Sequence, residues 1–127
     1  MAKTTFRNDV RITGGLTVDG AQARTIGAAT ATAGAATLNA TAGKITTENL
    51  TTAQNAIYTL TLTNSAIAAA DIVMVSVANG TNTQGTPMVG RVTPAAGSVV
   101  IQVINKHETA EALNGTLVVS FVVAKAA

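Results

Sequence analysis

Few side chains in this sequence could do chemistry, and most of them sit in one short stretch. His107 is the only histidine, with Glu108 beside it and Glu111 four positions on. An imidazole between carboxylates is the smallest kit for general-base catalysis or a metal centre. Either role needs further groups, and Glu48 and Asp71 stand at no recognised ligand spacing from it. No serine lies in a Gly-x-Ser-x-Gly elbow, so a Ser-His-Asp centre has no local signature. Cysteine is absent, which removes disulfides and thiolate ligands. Gly14 and Gly15, and the run from Gly80 to Gly85, precede no helical pattern and therefore read as turns, not phosphate cradles. The expectation is a non-enzymatic chain with no catalytic, cofactor-binding or metal-binding residues. His107 is expected to be a solvated loop residue or a hydrogen-bonder at a subunit contact.

The elements that carry these loops read as strands. Thr116 to Ala124 is rich in valine, whose stiff χ1 suits a pleated sheet, and it is apolar on one face and half apolar on the other. Ala56 to Thr63 alternates cleanly, with Tyr58, Leu60 and Leu62 on one side and Thr59, Thr61 and Thr63 on the other. Ile72 to Val77 is apolar on both faces. Met88 to Thr93 and Ser98 to Ile104 follow, joined by a tight turn over Pro94 to Gly97. Thr37 to Ala40 and Lys44 to Thr47 predict a hairpin around Gly43, with that glycine at positive φ. The uncharged run Ala28 to Thr37 reads as a linker or a flat strand of weak register. Asn79, Gly80, Thr81, Asn82, Thr83 and Gln84 form an exposed loop of turn-forming residues.

Short connections between about eight strands predict an all-β fold, an antiparallel β-sandwich or jelly-roll with an extended N-terminal arm. Residues 1–35 read as arm and low-complexity linker and residues 36–127 as the β-sandwich domain. Only 11% of residues are charged, and the excess charge is local. Residues 1–35 hold four bases against two acids, and the remainder is balanced. Bases this sparse make no nucleic-acid footprint, and no window is long and apolar enough for a membrane span or a signal peptide. A smooth, weakly charged β-surface suits packing against a partner or against copies of itself.

Four stretches carry a resemblance: 36–48, 58–65, 77–87 and 112–121, the last reading Ala-Leu-Asn-Gly-Thr-Leu-Val-Val-Ser-Phe. The region from Ala36 to Lys125 resembles small structural proteins encoded beside the capsid genes of tailed bacteriophages, particularly those of marine bacteria and cyanobacteria. Residues 10–20 are similar to β-segments of phage fibre and head proteins. The resemblance implies a decoration, or cement, protein made in the host cytoplasm and carried on the capsid surface of the virion. Its partner would be the major capsid protein, and it would act as a homotrimer, with no nucleic acid or membrane involved. Phe6, Arg7, Val10, Arg11 and Ile12 would then be the capsid-docking arm, with the Asn79 to Gln84 loop at the rim or tip. The alternative is a receptor-binding fibre or tip domain that contacts host surface glycans.

Overall fold

The computed structural model describes residues 26–126 together with Thr13 and Gly14. The docking-arm residues Phe6, Arg7, Val10, Arg11 and Ile12 lie outside the described residues. Eight strands run in the order β1 (Gly27–Thr30), β2 (Ala35–Thr37), β3 (Ala42–Thr46), β4 (Ile57–Thr63), β5 (Ile72–Asn79), β6 (Pro87–Ala95), β7 (Ser98–Asn105) and β8 (Leu117–Ala124). They make two four-stranded sheets in a sandwich-like arrangement, ordered β1-β3-β8-β5 and β2-β4-β7-β6. Among the described residues there is no helix.

Period-two patterning decides which side chains face inward. In β4 the leucines at 60 and 62 are fully buried, while Thr59, Thr61 and Thr63 are exposed. Val99, Ile101 and Val103 of β7 are buried opposite them in the same sheet. The other sheet contributes Ile45 from β3 and Leu117, Val119, Phe121 and Val123 from β8. Leu50, Ile67 and Leu113 reach in from loops to close the ends of this core. Burying a side chain of this kind stabilises by roughly 1.5–3 kcal/mol, and this layer is what holds the sheets together.

The sheets are mixed, which corrects the purely antiparallel expectation. β1 runs parallel to β3, and β2 runs parallel to β4; the other pairs are antiparallel. The cause is how the chain travels. From β1 to β4 it alternates between the two sheets, each crossing reverses it, and two reversals return it beside its predecessor in the same direction. The hairpin expected around Gly43 is corrected for the same reason. β2 and β3 belong to different sheets, and Gly43 lies inside β3, away from the glycines with positive φ. Of the two readings of Ala28 to Thr37, strand is the one observed. Most of β1 and all of β2 fall there, and among the described residues the first strand starts at Gly27.

Candidate functional site

The structure disperses the titratable groups. Asp71 precedes β5 at the end of the sandwich where β8 finishes, and His107 follows β7 at the end where β8 begins. Among the described residues no three of His, Asp and Glu come together as a metal site. His107 is tied locally, its Nε2 2.6 Å from Glu111 Oε2 and its Nδ1 3.0 Å from Thr86 Oγ1. Hydroxyl, imidazole and carboxylate in a row share the parts of a hydrolytic triad. This row lies on open surface, the His107 and Glu111 side chains being 30% and 34% exposed, where water screens it. Its visible effect is to fasten the loop after β7 to the residue before β6.

Glu48 is occupied in a different way. Its Oε2 accepts the Tyr58 hydroxyl at 2.9 Å and its Oε1 accepts the Gly34 N–H at 2.8 Å. Partial burial, then the hydrogen bond and the charge of Glu48, push the Tyr58 phenol above its ordinary value. Tyr58 therefore stays a donor and holds β4 to the loop before it.

Asp71, with its side chain 1% exposed, accepts the N–H of Ala68 at 2.7 Å and of Ala126 at 2.9 Å and pairs with the Lys125 ammonium. The hydrogen bond from Lys125, followed by those two backbone donors, lowers its carboxyl from 3.8 to about 2. A carboxyl more acidic folded than unfolded contributes stability that is full above its unfolded value and lost as pH falls through its folded one. Between pH 4 and 2 the wild-type melting temperature should therefore fall more steeply than that of Asp71→Asn. Differential scanning calorimetry across that range checks this, and parallel acid limbs would refute it.

The polar loops at the His107 end are built around a repeated triplet. Asn79, Gly80 and Thr81 face Asn114, Gly115 and Thr116, and the two Asn-Gly-Thr runs clasp each other. Thr81 N donates to Thr116 Oγ1 and Thr116 N donates to Thr81 Oγ1, both at 2.9 Å. Asn82, only 3% exposed, completes the clasp. Its Oδ1 accepts Asn114 N, and its Nδ2 donates to Asn79 Oδ1 and to the carbonyl of Gln84. Of the loop expected to be exposed, Asn79, Gly80, Thr81, Thr83 and Gln84 are exposed, whereas Asn82 is turned inward to satisfy these three bonds.

The glycines of the clasp allow the backbones to approach. A Cβ on Gly115 would lie 2.7 Å from Asn82 N and from the Thr81 carbonyl carbon, both backbone atoms that cannot swing away. On Gly80 a Cβ would collide with the Thr116 hydroxyl, which the clasp holds in place, and would lie 3.0 Å from the Thr116 carbonyl oxygen. Gly115→Ala and Gly80→Ala are each expected to destabilise by about 1–3 kcal/mol. Urea titration of both variants checks this.

What remains for function is a surface. On the outer face of the β1-β3-β8-β5 sheet, the register aligns Lys44 with Ser120 and Ser76, and Val122 with Met74. Ile72 and Met74 are 65% and 55% exposed there, Val118 and Val122 are half-buried, and Lys44 is the single charge among the strand residues of this face. A shallow concavity of about 290 Å³ opens on it, lined in part by Ile26, Lys44, Met74, Ser120 and Val122. The opposite sheet shows water an exposed threonine row, Thr59, Thr61 and Thr63, with an apolar strip of Ile57, Ile104 and Met88 at one end. Large exposed apolar side chains grouped on one face mark contact surfaces. The signal was present in the sequence as strands apolar on both sides. The inward placement of Asn64, Asn82 and Asn105, all three buried, had none, because a turn-forming asparagine reads the same whichever way it points.

No family model matches the chain, and neither a curated protein nor a solved structure shows significant similarity to it.

Proposed function

We propose that the chain is a structural virion protein of a tailed bacteriophage, a decoration protein that binds the outer surface of the assembled capsid and stabilises it. The observation that carries this reading is the outer face built on Ile72, Met74, Val118 and Val122, with Lys44 as its only charged strand residue. It is a surface suited to burial against protein, on a chain whose Glu48, Asp71 and His107 are engaged in holding loops and lie apart from one another. The resemblance in residues 36–125 to capsid-associated phage proteins supports the same reading.

The work done is mechanical. A protein that binds the assembled shell and not its separated subunits shifts the equilibrium toward the shell by mass action. The N-terminal residues Phe6, Arg7, Val10, Arg11 and Ile12 would dock by adding main-chain hydrogen bonds to a neighbouring sheet. The Asn79 to Gln84 loop, held by the asparagine clasp, would stand at the rim.

Purified protein mixed with undecorated capsids is expected to occupy regular sites in electron micrographs and to raise the temperature at which the shells rupture. Failure of both, with binding to host cells or their surface glycans instead, would overturn this reading and favour a receptor-binding tip domain.

A further inference from the structure

We infer that two copies of this chain pair edge to edge through β5, in antiparallel register about Val75, so that their two four-stranded sheets become one continuous sheet. This rests on the edge alone and not on the capsid reading. β5 ends its sheet, and among the described residues its only strand partner is β8. In an antiparallel pair, bonded and non-bonded residue pairs alternate. Gly80 N donates to Thr116 O, which continues the β5–β8 ladder, so the bonded pairs are those at Ala78, Ser76 and Met74. Thr47 N to Leu117 O and Val123 N to Thr41 O show the complementary pattern, with the odd-numbered residues of β8 turned to β3. The N–H and C=O groups of Val73, Val75 and Val77 therefore point away from the sheet.

An open edge of this kind is usually blocked by charge, proline, a bulge or shortness. The other three edges carry such devices. β6 has Pro87, Arg91, Pro94 and a register shift between Val89 and Val92, while β1 and β2 are four and three residues long. β5 has eight residues, an unbroken ladder, no proline and no charge.

The strand is also its own complement. A two-fold axis at Val75 sets Val73 against Val77 of the second copy, extending the inner apolar layer. On the outer face it sets Met74 against Ser76 and Ile72 against Ala78, a large residue beside a small one each time. Val75 would exchange bonds with its own counterpart and Val73 with Val77, giving about six main-chain hydrogen bonds. No like charges meet.

The test uses the full chain. Sedimentation equilibrium at the highest soluble concentration is expected to give twice the 12.7 kDa chain mass. Val75→Pro removes an outward N–H without touching the β8 ladder, and Ser76→Lys places a charge opposite Met74. Each should halve the apparent mass while circular dichroism stays that of a folded β-protein. The chain has no cysteine, so the double variant Met74→Cys/Ser76→Cys should form a disulfide-linked dimer on oxidation. A monomer or a trimer for the wild type would overturn the inference. So would a dimer that survives both edge variants and yields no cross-link.

Discussion

Asn105→Ala is expected to cost about 3 kcal/mol of folding stability, although it deletes only an amide and no part of any strand's apolar face. Asn105 is fully buried at the end of β7. Its Oδ1 accepts the N–H of Thr86 at 2.9 Å and of His107 at 3.3 Å, and its Nδ2 donates to the carbonyls of Thr52 at 3.0 Å and Glu111 at 2.7 Å. Three chain segments thus meet on one side chain, the loop before β4, the residue before β6 and the loop after β7. Removing it leaves the N–H groups of Thr86 and His107 and the Glu111 carbonyl without their partner, while the Thr52 carbonyl keeps the N–H of Leu113. Each such orphan costs roughly 1–3 kcal/mol, and partial relaxation brings the total to the figure above. Asn105→Asp keeps the shape and the acceptor but cannot donate, so it should also destabilise, by setting a carboxylate against two carbonyls. The measurement is the urea midpoint at unchanged m-value. A shift within the range of an exposed substitution such as Thr59→Ala, about 0.5 kcal/mol, would show that the loops hold without this hub.

The contrast between what the sequence discloses and what it conceals follows from which interactions are local. Leu60, Leu62 and the threonines between them declare β4 by alternation alone, and the observed strand differs from the expected one by a single residue. β5, β7 and β8 are legible in the same way, because valine and isoleucine at every second position leave no helical alternative. The path through residues 27–46 is not. Ala, Thr and Gly dominate there, so hairpin and sheet-to-sheet crossing differ by no local pattern, and only the cover offered by distant strands separates them. Gly43 shows the ambiguity well. A glycine between two apolar runs suggests a turn, yet here it makes room for neighbouring side chains.

The candidate site divides along the same line. The composition is poor in chemical groups, and His107 lies in a loop where it is bonded to Thr86 and Glu111. The outer face with Ile72 and Met74 was half visible, since a strand apolar on both sides must either be covered twice or show one face to a partner. The asparagine hubs and the Asn-Gly-Thr clasp were hidden, because both depend on which loops meet in space. Asn79 and Asn114 stand far apart in sequence, and only the β5–β8 register brings their triplets together.

Phe121→Ala is expected to be the most damaging single truncation, at about 3–5 kcal/mol, a large share of the 5–15 kcal/mol that holds an ordinary domain folded. Phe121 is 2% exposed on β8 and, among the described residues, is the only aromatic side chain in the buried core, flanked in register by Gly43 of β3 and Val75 of β5. Its ring occupies the space that a side chain at 43 would fill. A Cβ there would lie 3.0 Å from Phe121 Cε1 and 2.5 Å from Leu38 Cδ2. Glycine, phenylalanine and leucine therefore form one packing unit across two strands and a loop. Gly43→Ala alone should cost about 1–3 kcal/mol by overpacking, because Leu38 and Phe121 cannot both withdraw. In a Phe121→Ala background the ring is gone and Leu38 can move into the vacated volume, so the same glycine substitution should cost less. The double-mutant cycle is then expected to show coupling of about 1 kcal/mol or more, measured from the four urea midpoints. Strict additivity would mean that Gly43 is required for its backbone and not for the ring, and that the close approach of β3 to β8 is set elsewhere.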